Sequence, residues 1–163
     1  MALIWSDRIL VEARQVLQQV EEELRAAGVP GRVEITGPAS LPGVLTKGDI
    51  DLHLRVPPDR FDDVVAGLRE MYPTASLHAW TATLAVFELP ATRPAGLAVT
   101  PVGSEHDVRF TTTWRRLRAD PSLLGDYNRI KADHVGTPAY ESSKSAFFDR
   151  IAGDQPPISP AKE

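Results

Sequence analysis

Between Lys47 and Val56 the chain reads Lys-Gly-Asp-Ile-Asp-Leu-His-Leu-Arg-Val. Side chains on a strand alternate between faces, so Asp49, Asp51 and His53 are expected on one face and Ile50, Leu52 and Leu54 on the other. Two carboxylates two residues apart on a rigid strand suit a hard divalent cation, Mg²⁺ or Mn²⁺, which takes oxygen ligands and shares them with substrate phosphates. Phosphoryl or nucleotidyl transfer is the chemistry such a pair serves, with Asp49 and Asp51 as metal ligands. An acid pair alone is also consistent with a solvated strand, so its surroundings matter. Asp49 lies 12 residues after Gly37, which closes the preceding extended segment and opens a loop of small residues, Gly-Pro-Ala-Ser-Leu-Pro-Gly, ending at Gly43. Backbone N–H groups in such a loop can cradle phosphate oxygens.

Periodicity marks the elements that must hold these residues. From Ser6, an expected N-cap, Ile9, Leu10, Ala13, Leu17, Val20 and Leu24 recur at helical spacing and stop before Gly28 and Pro30. The Glu21-Glu22-Glu23 run reads as a solvated helix face. Arg32 to Thr36 alternates as a short strand, and Asp49 to Val56 is a second strand, stopped by Pro57-Pro58. Asp59 is expected to cap a helix through Phe61, Val64, Val65, Leu68 and Met71. Three extended segments are expected next: near Ser76 to Trp80, Thr83 to Leu89, and Leu97 to Val102. The turn-rich stretch from Pro90 to Gly96 joins the last two as a hairpin. The remainder predicts helices from about Glu105 to Leu117, from Asp120-Pro121 to about Lys131, and from about Pro138 to Ile151. One domain over residues 1–152 is expected, followed by a Pro-rich disordered tail from Gly153.

The combination of a glycine-opened loop and a hydrophobic-flanked acid pair resembles the polymerase β-like nucleotidyltransferase superfamily. Within it the chain resembles the GrpB family. The residues that carry the resemblance are the Gly37 to Gly43 stretch with Lys47 and Asp51 beyond it. In the C-terminal third they are Phe110, Arg118-Ala119-Asp120-Pro121, Tyr127, Lys131, Tyr140 and Lys144-Ser145-Ala146-Phe147. Two departures accompany the match: Pro38 stands where the family pattern has serine, and the strand at Leu97 to Val102 lacks the histidines the family tends to carry there.

The resemblance implies a cleft in which Asp49 and Asp51 hold metal and the Gly37 loop, with Ser40, meets phosphate. Aligned by Lys47, the family acids fall instead at Asp51 and His53, so Asp51 belongs to both registers. Active nucleotidyltransferases use a third carboxylate from a later strand, for which Glu88 is the candidate and Glu34 the alternative. Lys47, Arg55, Arg93 and Lys144 are candidates to neutralise phosphates. The aromatic residues Trp5, Trp80, Trp114, Phe110, Phe147 and Phe148 are expected to be packing residues.

Composition narrows the classes further. The chain has 163 residues, a formal charge of −4 and no cysteine. There is no basic field of the kind that drives duplex nucleic-acid binding, and thiolate chemistry is excluded. Its apolar runs fall short of the ~18 residues of a spanning helix, and the N-terminus has no basic-then-apolar leader, so a cytoplasmic protein without membrane contact is expected. Walker-type phosphate loops, dinucleotide fingerprints and zinc-hydrolase motifs are absent from the sequence. The expected fold is α/β of α+β type: a mixed, largely antiparallel sheet of four to five strands with an N-terminal helix and a C-terminal helical group. The expected function is Mg²⁺-dependent nucleotidyl transfer or nucleoside triphosphate binding. The alternatives are phosphohydrolysis with the same acids, or a non-catalytic module that recognises a phosphorylated ligand or a protein partner.

Overall fold

The alternation of Ile50, Leu52 and Leu54 with polar neighbours requires a strand whose two faces meet different surroundings. The computed structural model, which describes residues 2–153, places that segment inside the sheet. The strands are β1 (Ile4–Trp5), β2 (Arg32–Thr36), β3 (Leu45–Thr46), β4 (Ile50–Val56), β5 (Ala85–Glu88) and β6 (Ala95–Pro101). The helices are α1 (Leu10–Ala26), α2 (Phe61–Met71), α3 (Glu105–Ala119), α4 (Pro121–His134) and α5 (Tyr140–Gly153). A four-stranded sheet has the order β2-β4-β6-β5, antiparallel except where β4 runs parallel to β6, and β1 and β3 form a separate two-stranded ladder. This is the expected class.

Register decides which residues share a face. Ile35, Leu52, Leu97 and Phe87 form one row across the four strands. They belong to a core completed by Ala13, Val20 and Leu24 of α1 and by Phe61, Val64 and Leu68 of α2. Burying a leucine side chain there contributes roughly 1.5–3 kcal/mol. The next row, Thr36, Asp51, Gly96 and Glu88, alternates to the other face. On that side Phe110 of α3 meets the His53 ring edge-on, with centroids 5.3 Å apart. A second apolar cluster of Leu41, Val44, Leu117, Tyr127, Phe147 and Ile151 joins α3, α4 and α5 to the loop after β2. The candidate residues lie between these two clusters.

Several local expectations are corrected. Ser6 is no helix cap. It opens a 3₁₀ turn and is fully buried, its hydroxyl donating to the Leu41 carbonyl at 2.6 Å and accepting from the Val44 N–H at 3.1 Å. Asp59 lies within a 3₁₀ turn ahead of α2 and makes no cap hydrogen bond. The segment at Ser76 to Trp80 is a 3₁₀ turn over Leu77–Ala79, entered through left-handed Ser76, rather than a strand. Trp5 is 49% exposed, because its two-residue strand sits outside the main sheet. By contrast Asp120 caps α4, its Oδ1 accepting from the Ser122 and Leu123 N–H groups with Pro121 in the first turn. Gly153 ends α5, and the rest of the expected tail lies outside the described residues.

Candidate functional site

The site begins at the turn after β2. Gly37 has φ +66°, and a Cβ on it would stand 2.7 Å from Asp51 Oδ2. Only glycine supplies both the left-handed conformation and the room for a carboxylate against the backbone. Thr36 pairs directly with Asp51, so the end of β2 delivers the Gly37 turn beside the start of β4. Asp49 lies just before β4 and is exposed, whereas Asp51 is partly buried.

Both acids line a cavity of about 390 Å³ between the sheet and the C-terminal helices. Gly37, Pro38 and Lys47 contribute from the loops, Phe110 and Trp114 from α3, Tyr127 and Lys131 from α4, and Tyr140, Lys144 and Phe148 from α5. Three lysines and two aspartates thus face one space, with Arg109, Glu141, Thr46, Thr113 and aromatic side chains completing the wall. Lys47 and Lys144 both reach Glu141, at 3.0 Å and 3.4 Å, and both stand over the Tyr140 ring, at 4.6 Å and 5.0 Å from its centroid. Lys131 is 2% exposed and donates to the Leu45 carbonyl. Asn128, three residues earlier on α4, accepts from the Leu45 N–H at 2.9 Å and donates to the Gly43 carbonyl at 2.8 Å. One face of α4 therefore holds the loop before β4 in place and sets Lys131 beside the acids.

Electrostatics in the cavity are strained. Burial, reinforced by the Asp49 charge, pushes the Asp51 carboxyl up to about 6, with Lys144 and Lys131 opposing. Burial, reinforced by Lys144 and Lys47, brings the Lys131 ammonium down to about 7. Burial also raises the Tyr140 phenol, as do the charges of Glu141 and Asp49. The Tyr140 hydroxyl is buried without a hydrogen-bond partner among the described residues. Such a group in a lined cavity is a polar handle for whatever enters.

The structure places other candidates elsewhere. Ser40 folds back on its own turn, donating to the Gly37 carbonyl at 2.6 Å, and does not line the cavity. Arg93 is held by Glu12 of α1 at 2.7 Å. Arg55 forms a two-pronged pair with Asp107, Nε to Oδ1 at 2.6 Å and Nη2 to Oδ2 at 2.9 Å. Burial alone would raise Asp107, yet Arg55 and the Gly103 N–H hold it below the usual carboxylate range. His53 is buried, shares a 2.7 Å hydrogen bond with the Thr100 hydroxyl, and is driven down to about 4 by burial against the opposing pull of Asp107. Glu34 pairs with His53 in register and lines other grooves. Glu88 is exposed and shares a row with Asp51. Gly96 stands between them, so two strand spacings, about 9.5 Å, separate the two backbones.

The donor set defines what metal could be held. Neither Asp49 nor Asp51 makes an ion pair or side-chain hydrogen bond among the described residues, and both face the same cavity. Two such carboxylates fit one hard divalent cation. They do not make the three-carboxylate centre of a two-metal site: on β6 the residues beside Asp51 and His53 are Gly96 and Ala98. Among the described residues no group of three or more His, Asp or Glu side chains could share an ion.

Lys131, Tyr127, Tyr140, Phe110 and Trp114 are among the cavity-lining residues that the sequence alone did not place there. Their signal was present, since Phe110, Tyr127, Lys131 and Tyr140 all stand in the C-terminal segment carrying the GrpB resemblance. A lysine or tyrosine on a helix otherwise reads as a solvated or packing residue.

The fold is nucleotidyltransferase-like, of the type seen in GrpB. The conserved protein GrpB from Enterococcus faecalis superposes with a TM-score of 0.71 at 16% identity, over 93% of this chain and 95% of that one. The Cid1 poly(U) polymerase in its MgGTP-bound structure superposes with a TM-score of 0.57 at 13% identity, over 81% of this chain and 45% of that one. A UPF0157 protein of Vibrio cholerae is 26% identical over 151 residues, 91% of this chain and 80% of that protein. No family model matches the chain. Among the described residues no helix is long and apolar enough to cross a membrane.

Proposed function

We propose that the chain binds a nucleoside triphosphate, or a related phosphorylated small molecule, together with a divalent cation such as Mg²⁺ in the cavity of Asp49 and Asp51. The observation that carries this reading is the convergence of Lys47, Lys131 and Lys144 with the two aspartates on one cavity. Asp49 and Asp51 would hold the cation, which when bound offsets phosphate charge and polarises a phosphoryl group toward attack. The ammonium groups neutralise phosphate oxygens. Gly37 keeps the turn backbone close against the Asp51 carboxylate. The Phe110, Trp114 and Phe148 wall excludes water from the less polar part of the ligand. The MgGTP in the Cid1 structure supports a nucleotide in the corresponding fold.

A second reading, a phosphate-recognising module without chemistry, is favoured by Gly96 and Ala98 standing where a third acid would be needed. The two separate cleanly. Thermal melting with a nucleotide panel, with and without Mg²⁺, should show a rise for at least one nucleotide, since a ligand at 100 times its Kd stabilises by about 2.7 kcal/mol. A rise that needs Mg²⁺, with pyrophosphate released in the presence of an acceptor hydroxyl, supports transfer. A rise without Mg²⁺ and without pyrophosphate supports the module, and no rise with any phosphorylated probe overturns both.

A further inference from the structure

A second concave surface lies away from the nucleotide cavity. A groove of about 690 Å³ runs between α1 and β2. Strand β2 is an edge strand, paired with β4 on one side only. An edge presents unpaired N–H and C=O groups at alternate residues and accepts an added strand. Leu10, Leu17 and Leu24 of α1 supply an apolar wall, with Val33 and Ile35 of β2 alternating onto the same side. Arg32 and Glu34 alternate onto the opposite side.

Charge identifies the occupant. Arg14, Arg25, Arg32 and Arg118 line the groove against only Glu21 and Glu34, a local excess of positive charge on a chain whose formal charge is −4. Arg14, Arg25 and Arg32 form no ion pair among the described residues, and all four arginines are exposed. Among the described residues no aromatic side chain lines the groove, so they offer no base-stacking platform for single-stranded nucleic acid. We propose that this groove docks an extended acidic peptide segment of a partner protein, which adds a strand to β2. Its apolar residues would face Leu17, Leu24, Val33 and Ile35, and its acidic residues, alternating to the other side, would face Arg32 and Arg118. The surface is distinct from the nucleotide cavity, although the turn between them serves both: Gly37 and Pro38 line the cavity while Ala39 and Ser40 line the groove.

The test uses the full chain and a fluorescently labelled eight-residue peptide of alternating valine and glutamate, read by polarisation. Saturable binding is expected, weakened at least tenfold in the Arg32→Glu/Arg118→Glu variant and weakened likewise when alternate peptide amides are N-methylated. Both arginines are exposed, and unchanged melting of the variant confirms that it folds. A valine-lysine peptide should bind the variant better than the native chain. Equal binding of acidic and basic peptides by the native chain, or indifference to N-methylation, overturns the proposal. So does preferential binding of a single-stranded oligonucleotide, or self-association of the chain that the arginine variant abolishes without any peptide binding.

Discussion

Gly37 and Asp51 are packed as one unit: a methyl group on Gly37 would lie 2.7 Å from the Asp51 Oδ2. The turn leading into the cavity and the carboxylate at its floor therefore cannot vary independently. Gly37→Ala combines a left-handed penalty of roughly 1–2 kcal/mol with displacement of Asp51. Urea denaturation should show a loss of about 2 kcal/mol or more, and nucleotide affinity should fall in the same variant.

Asp51 is expected to lower stability while serving binding. Its carboxyl takes up a proton near 6 in the folded protein and near 3.8 in the unfolded chain. Between those values the folded state binds more protons, so stability falls as pH rises through that window. Asp51→Asn escapes that loss. At pH 8 the variant should be more stable than the native chain by about 1–3 kcal/mol, with the gap closing below pH 4, as read by melting across pH.

The acid limb of stability depends on another cluster. His53 is held neutral down to about 4, against 6.5 in the unfolded chain, and Asp107 is held below its ordinary value by Arg55. Each depressed group contributes stability that is lost as pH falls, for His53 through the interval from 6.5 to 4. Asp107→Ala leaves Arg55 without its two-pronged partner and should cost on the order of 2–3 kcal/mol by urea denaturation. Because this cluster fixes α3 to β4 without lining the cavity, nucleotide affinity of the folded variant should change little.

Basic residues should divide by location. Lys47→Ala and Lys144→Ala are each expected to weaken nucleotide binding about tenfold, since both ammonium groups border the cavity. Arg93→Ala should leave affinity unchanged. Its pair with Glu12 is at the surface, and such pairs contribute about 0–1 kcal/mol.

Much of the fold could be read because its signals are local. Ile50, Leu52 and Leu54 alternate, Asp120-Pro121 starts a helix, and the Pro57-Pro58 pair stops β4, each without reference to distant residues. Asp51 was singled out on other grounds, since both registers of the family resemblance met on it, and it lines the cavity. What escaped was set by long-range pairing. Nothing near Arg93 shows that Glu12 will hold it, and nothing near Arg55 shows that Asp107 will. Lys131 is buried only because α4 packs on β3 and its ammonium meets the Leu45 carbonyl. The 3₁₀ turn at Leu77–Ala79 follows from a left-handed Ser76 that apolar periodicity does not reveal.

Calorimetric titration of the native chain and of Asp51→Ala with a nucleoside triphosphate and Mg²⁺ tests the central claim most directly. Saturable one-site binding to the native chain, lost in a folded Asp51→Ala variant, is the result predicted. Equal binding by both proteins would contradict it, because the Gly37 turn, the lysines and the aspartates could not then form one ligand site.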